Sequence, residues 1–120
     1  MAKQMSYSKY GNQVLPHFRE RLNKAESTED LKKFFVYISR ELLERIFAGD
    51  LQIDYEDIAL NPKNAPHFIL SDKLMADPRF TASWRDSDLK NILAVLADTA
   101  MKRYIHLEKN PGKTEAKIRM

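Results

Sequence analysis

Histidines are the first candidates for a general base or a metal ligand, and this chain places its three histidines far apart. They are His17, His67 and His106. Two histidines that bind one zinc ion from the same helix are typically four residues apart, and no pair here has that spacing. The chain contains no cysteine, which excludes a thiolate metal site, a cysteine nucleophile and disulfide bonds. We therefore predict no metal and no cofactor.

Acidic side chains cluster at one point of the chain, at Asp54, Glu56 and Asp57. Oxygen ligands suit calcium or magnesium, but the glycine turn and the closing glutamate of an EF-hand loop are missing. A short acidic turn is more typical of a solvated surface. If His67 lies beside Asp54 or Glu56 in the folded chain, these residues would form an acid–base site assembled from distant parts of the sequence. An enzyme of this kind is the third of our functional hypotheses.

Glycine and serine motifs do not add a catalytic or phosphate-binding site. Gly11, Gly49 and Gly112 are too far apart for a Walker loop or a dinucleotide-binding fingerprint. No serine lies in a G-x-S-x-G sequence. Because no motif specifies a catalytic residue, the sequence favours a protein that is not an enzyme.

The two ends of the chain are basic, although the net charge of the whole is only +3. Residues 1–25 hold five basic and one acidic residue and residues 101–120 hold six and two, which is +4 at each end and leaves −5 between them. Basic ends suit solubility, or contacts with nucleic acid or an acidic partner. Tyr7 and Tyr10 also suit base stacking, but both fit the buried stripe of a helix, which favours a core role. The candidate nucleic-acid contacts are Lys3, Lys9, Lys102, Arg103, Lys109, Lys113, Lys117 and Arg119.

The strongest periodic pattern lies in residues 28–48. Ser27 or Thr28 suits the N-cap of a helix there, and Gly49 suits its C-terminal stop. We predict an amphipathic helix at the centre of the domain. The apolar residues of its main face are Leu31, Phe34, Phe35, Ile38, Leu42 and Ile46.

A second apolar line on the same helix is formed by Val36, Leu43 and Phe47. The two lines together need at least two neighbouring elements to cover them. If the rest of the chain leaves the second line uncovered, it would form an interface with a protein partner or with another copy of the chain. These three residues are therefore our predicted interaction site.

The other elements are assigned from weaker patterns. Pro16 either bends one continuous first helix or begins a shorter helix near Asn12, and the apolar stripe keeps its phase across the proline, which favours one helix. Residues 51–55 alternate between apolar and polar and could pair with 67–70 as a strand, but Tyr55, Ile58 and Ala59 equally suit one helical turn. The remaining helices are predicted at 7–25, 72–76 and 84–108, and the last of them can start at Ser83 or at Asp86 and Ser87.

The predicted fold is all-α, a small helical bundle of three main helices and one short helix with a loop-rich middle. We expect a single domain over residues 1–120, with flexible tails at 1–6 and 110–120. No stretch resembles a signal peptide or a membrane span, so we expect a cytoplasmic protein outside the membrane. The favoured function is a non-enzymatic interaction module that binds a protein partner or itself. The alternative is nucleic-acid binding through the basic ends.

Overall fold

The computed structural model describes residues 6–109. Within this range the chain is mostly helical, with one small antiparallel sheet. The elements in chain order are α1 (Ser8–Lys24), α2 (Thr28–Phe47), β1 (Ile58–Leu60), β2 (Phe68–Leu70), α3 (Asp72–Ala76), α4 (Pro78–Asp86) and α5 (Leu89–Lys109).

Helix α2 lies at the centre of the domain, as predicted. Its start is fixed by Ser27, whose side chain accepts a hydrogen bond from the backbone N–H of Asp30. Its end is a left-handed turn through Ala48 and Gly49, with φ angles of 53° and 82°. On the main apolar face four residues are buried and Phe34 and Ile46 are half-buried, and α2 packs against α1, α5 and β1. Buried apolar side chains from the five helices, β1 and the segment before it form one continuous core, against which β2 packs.

Helices α1 and α5 run parallel to each other. At their starts, the carboxylate of Asp88 accepts a hydrogen bond from the backbone N–H of Tyr7 at 2.7 Å. At their ends, the guanidinium of Arg103 donates to the carbonyl of Leu22 at 3.2 Å. Between these points the helices are in close contact, because a Cβ added to Gly11 would lie 2.9 Å from Cγ2 of Ile92. Both polar contacts are therefore made across about 80 residues of sequence.

Helix α1 is continuous through Pro16, as the phase of its stripe predicted. The proline ring is exposed, while Val14, Phe18 and Leu22 are buried. A proline removes one backbone donor, and on the solvent side of a helix water can satisfy the carbonyl that is left without its partner. The position of Pro16 on that side accounts for its tolerance inside the helix.

The sheet is present, but its first strand was predicted in the wrong place. Residues 58–60 form β1, in the register Ile58↔Leu70, Ala59↔Ile69 and Leu60↔Phe68. Residues 51–55 do not form a strand, because the backbone N–H of Asp54 binds the carboxylate of Asp57 and the chain turns there in one turn of 3-10 helix. Leu51 and Ile53 are buried as their alternation predicted, without a strand partner.

The last predicted helix is divided into two. Helix α4 begins at Pro78, where Asp77 caps the backbone N–H groups of Arg79 and Phe80. Proline is favoured in the first turn of a helix, where its missing N–H needs no partner, so Pro78 starts α4 as well as ending α3. The chain then becomes extended at Ser87, and α5 starts at Leu89. Residues 78–83, which lie outside the predicted helices, are therefore helical.

The predicted tails lie mostly outside the described residues. Of the segment 1–6, only Ser6 is described, and its hydroxyl donates to Asp88 at 2.8 Å. Residues 1–5 and 110–120 lie outside the described range. Among the described helices, none has both the length and the apolar character to cross a bilayer.

Candidate interaction surface

The interface predicted on the second apolar line of α2 is not exposed in the folded chain. Val36 is only 3% exposed and Leu43 is fully buried. Phe47 is half-buried, and its ring centroid lies 6.2 Å from that of Phe80 in α4. Three neighbouring elements, α1, α5 and β1, pack against α2 and cover it. These three residues belong to the core of the single chain.

The acidic cluster forms a closed polar network that joins the turn before β1 to α3. The carboxylate of Asp57 accepts hydrogen bonds from the Ser71 hydroxyl at 2.7 Å and from the backbone N–H of Asp54 at 2.8 Å. The ammonium of Lys73 lies 3.3 Å from Asp57 and 2.7 Å from Asp54. Asp57 is buried, whereas Glu56 is exposed. We call Asp54, Asp57, Ser71 and Lys73 the polar cluster.

The charges of the polar cluster stabilise one another. Burial raises the pKa of Asp57, but the hydrogen bonds from Asp54 and Ser71 and the nearby Lys73 lower it further than burial raises it, so the net shift is downward. The Lys73 hydrogen bond and charge lower the pKa of Asp54. The same contacts, with Asp54 first, raise the pKa of Lys73. The cluster is thus an ion-pair network with its carboxylates ionised at neutral pH.

The histidines do not form a catalytic or metal site with these carboxylates. The Nδ1 atom of His67 lies 3.0 Å from the carbonyl oxygen of Asn61, and no carboxylate in the described part of the chain contacts its ring. His17 and His106 are exposed on two different helices. Within residues 6–109 no three metal-ligating side chains of the His, Cys, Asp or Glu type are close enough to hold a metal ion.

An open apolar pocket lies between the first halves of α1 and α5. Its volume is about 270 Å³. Leu15 from α1 and Ile92, Val95 and Leu96 from α5 form its apolar wall. Val95 is 52% exposed, so the wall faces solvent. The close approach of Gly11 to Ile92 lets the two helices meet beneath the pocket.

A basic pocket of about 330 Å³ lies between the second halves of the same two helices. Arg19 from α1 and Lys102 and His106 from α5 are exposed around it. Arg103 also lines it, but its guanidinium donates to the carbonyls of Leu22 and Asn23 at the end of α1. Arg103 therefore binds carbonyls at the C-terminal end of α1, whereas Arg19 and Lys102 face solvent.

The apolar and basic pockets form one surface, because their lining residues follow the same face of each helix. From α1 this face carries Ser8, Gly11, Asn12, Leu15, Arg19, Leu22 and Asn23. From α5 it carries Asp88, Asn91, Ile92, Val95, Leu96, Thr99, Lys102, Arg103 and His106. These residues recur every three or four positions, so each set forms a stripe along its helix. We call this surface the α1–α5 groove, and its length from Ser8 to Asn23 is about 22 Å at 1.5 Å per residue.

The cations proposed for nucleic acid have different environments. Lys9 and Lys109 are exposed, and Lys102 lies 3.5 Å from Asp98 in an exposed pair. The guanidinium of Arg103 donates to carbonyl oxygens of α1. Four of the candidates, Lys3, Lys113, Lys117 and Arg119, lie outside the described residues. The sequence argument missed Arg19 as a partner of Lys102, since only the parallel packing of α1 and α5 brings the two into one pocket.

A second exposed apolar surface is formed by α2, the turn before β1 and the sheet. Tyr37 of α2 contacts Tyr55 edge to face, with ring centroids 5.9 Å apart. Ile69 on β2 is 53% exposed beside Ala59 of β1. Lys32 and Lys33 lie close to Tyr55, in a shallow pocket that also contains Glu29 and Glu56, so cations and carboxylates are mixed there. Apolar and basic side chains are therefore not separated into two halves of this surface.

The chain matches no protein-family model, no curated protein and no solved structure. Its function is therefore inferred from the chemistry of its own surface. The α1–α5 groove is the strongest candidate, because it joins the exposed Val95 and the half-buried Leu15 and Ile92 to the exposed cations Arg19 and Lys102.

Proposed function

We propose that the chain is a non-enzymatic interaction module that binds a protein partner along the α1–α5 groove. The observation that carries the proposal is the exposure of Val95 beside Leu15 and Ile92 in a wall continuous with the basic pocket. Exposed apolar side chains next to charged ones are the usual composition of a protein-binding surface. The groove replaces the interface first expected on α2 and retains the predicted class of function.

The polar side chains of the molecule support binding over catalysis. A general base must reach a substrate proton, and its partner groups must converge on the same point. The carboxylates that do converge, Asp54 and Asp57, are occupied by Ser71 and Lys73. His67 is held against the carbonyl of Asn61 instead of beside an acid.

Site-specific photo-cross-linking tests the proposed surface. A photoreactive benzophenone amino acid replaces Val95 in one variant and Ile69 in a matched control, since the two side chains are almost equally exposed. We expect a discrete protein adduct in the native cell from position 95 and none of comparable yield from position 69. The same adduct from both positions, or an adduct from position 69 alone, would contradict the proposal.

The same variants distinguish a foreign partner from a second copy of the chain. Sedimentation equilibrium at micromolar concentration gives the mass of the purified protein. A dimer that is lost in Val95→Glu would make the partner another copy, which remains within the proposed function. A dimer that survives Val95→Glu would place self-association on a different surface.

Nucleic-acid binding is the second candidate, supported by the convergence of Arg19, Lys102 and His106 in one pocket. It predicts affinity for single-stranded RNA or DNA that falls steeply as salt rises, because phosphate contacts release counterions. Titration of a fluorescent 20-nucleotide oligomer at several salt concentrations measures this slope. Binding that does not change with salt, or that persists in Arg19→Glu with Lys102→Glu, would reject this candidate.

A further inference from the structure

The α1–α5 groove is chemically divided along its length. Its first half presents Leu15, Ile92 and Val95, and its second half presents Arg19 and Lys102. We propose that the groove binds an amphipathic helix of a partner protein whose apolar side chains contact the first half and whose carboxylates contact the second. This inference rests on the proposed function and adds the chemistry and shape of the partner segment.

The shape of the groove suits a helix. Two parallel helices in close contact leave a linear depression between them, and a third helix can pack its side chains into such a depression. A groove of about 22 Å accommodates about 15 helical residues, or four turns. Apolar residues spaced three and four positions apart in one half of the partner helix would lie on one face and could contact the wall around Val95.

The charge of the groove favours an acidic partner. Arg19 and Lys102 face solvent at its second half, and the nearby Asp98 forms only an exposed 3.5 Å contact with Lys102. The other carboxylate of the groove, Asp88, lies at the opposite end and accepts hydrogen bonds from Ser6, Tyr7 and Ser8. Cations without strong partners attract carboxylates and select against basic ligands.

The chain's own C-terminal segment does not have the charge required of this ligand. Residues 110–120 contain three basic residues and one acidic residue. Like charges facing each other across the second half of the groove would oppose binding. Charge complementarity therefore favours a segment from a different protein.

Selection from a random peptide library tests the proposal with a defined probe. Phage that display random 16-residue peptides are selected on the full chain, and the enriched peptides are synthesised. We expect net-negative peptides with apolar residues at helical spacing, which become helical on binding as measured by circular dichroism. Fluorescence anisotropy then gives their affinity for the wild-type chain and for each variant.

Two variants and two matched controls locate the bound peptide. We expect Val95→Glu and Lys102→Glu each to weaken binding about tenfold, because one introduces a charge at the apolar wall and the other reverses a facing charge. Ile69→Glu is the control for Val95, and Lys90→Glu, exposed on α5 outside the groove, is the control for Lys102. Both controls should leave affinity within about twofold, since neither residue lies in the groove. Circular dichroism of each variant confirms that it is folded.

A charge exchange provides an independent measurement. A peptide in which the glutamates are replaced by lysines should lose affinity for the wild-type chain and regain part of it with Lys102→Glu. No regain, or enrichment of neutral or basic peptides, would overturn the acidic-helix proposal. If such peptides still lose affinity in Val95→Glu, the proposed function stands without the acidic helix.

Other outcomes reject more than the acidic helix. If the peptides bind Val95→Glu as tightly as wild type, or if the selection enriches no peptide, both the acidic-helix proposal and the groove as a protein-binding surface would be rejected. Single-stranded RNA that displaces an enriched peptide, with a steep salt dependence, would assign the groove to nucleic acid instead.

Discussion

The polar cluster and the α1–α5 groove both bring together charges that are distant in the sequence, but they use those charges differently. In the polar cluster, Asp57 is buried and each of its contacts is a short hydrogen bond or ion pair within the chain. In the groove, Arg19 and Lys102 face solvent, and Lys102 has only one exposed contact. The first arrangement stabilises the fold, whereas the second leaves charge available to another molecule.

This difference shows why the charges in the sequence did not by themselves indicate which side chains are available for binding. The acidic turn suggested a metal or catalytic site, yet its carboxylates bind Ser71 and Lys73 and so connect the turn before β1 to α3. The basic ends suggested nucleic acid, yet Arg103 binds the last carbonyls of α1. Whether a charged side chain is available for binding depends on its contacts in the folded chain.

The largest expected effect is at the centre of the polar cluster. Asp57→Ala removes the acceptor of the Ser71 hydroxyl and of the Asp54 N–H, and we expect it to lower the free energy of unfolding by about 3 kcal/mol. Glu56→Ala is the control, because this neighbouring carboxylate is exposed; we expect a change within about 0.5 kcal/mol. Urea denaturation measures both. Equal effects would mean that Asp57 is not a structural residue.

Acid unfolding separates the charge of Asp57 from its shape. Because the folded-state pKa of Asp57 is lowered, the unfolded chain takes up the proton first, near pH 3.9. The stability contributed by the carboxylate is therefore present above that pH and is lost as pH falls through the folded-state pKa. Asp57→Asn should flatten this decline below about pH 5, with a remainder due to Asp54, Asp77 and Asp88, whose pKa values are also lowered. Urea denaturation at several acidic pH values tests this prediction. A free energy of unfolding that falls as steeply with pH in Asp57→Asn as in wild type would contradict it.

The packing beneath the groove is the next test. In wild type, the Cβ of Gly11→Ala would meet Ile92 at 2.9 Å, which opposes the gain in helix propensity. In an Ile92→Ala background the obstacle is gone, and the same change should stabilise the protein by about 1 kcal/mol. We expect a coupling of about 1–2 kcal/mol from a double-mutant cycle. Additive effects would mean that α1 and α5 do not touch at this point.

Local signals predicted the parts of the fold that local chemistry determines. Ser27 caps α2 as its type and position suggested, and Ser71 caps α3. The start of α4 was not predicted, although Asp77 and Pro78 are favourable residues for an N-cap and a first helical position. The groove could not be predicted, since it depends on a parallel register between residues about 80 positions apart. Helical periodicity shows which face of a helix is apolar but not which helix lies beside it.

A buried hydroxyl without a partner extends the contrast with the polar cluster. Ser39 is fully buried in α2, and within the described part of the chain its Oγ has no hydrogen-bond partner. Ser39→Ala removes this unsatisfied group and improves helix propensity, so we expect an increase in stability of about 1 kcal/mol. Ser71→Ala should instead destabilise, because Ser71 binds Asp57 and caps α3. Thermal unfolding compares the two, and a loss of stability in Ser39→Ala would mean that its hydroxyl has a partner.

The smallest expected effect is at the rim of the groove. Lys102→Gln should change the free energy of unfolding by less than about 0.5 kcal/mol, because its contact with Asp98 is exposed. Arg103→Gln, one residue further on, should cost about 1 kcal/mol, since it removes the guanidinium that donates to the carbonyls of Leu22 and Asn23. Urea denaturation of the two variants tests this difference. A large loss of stability in Lys102→Gln would show that its charge holds the fold together, as the polar cluster does, and would remove it from the proposed binding surface. A negligible loss combined with weaker peptide binding would separate binding from stability at a single side chain.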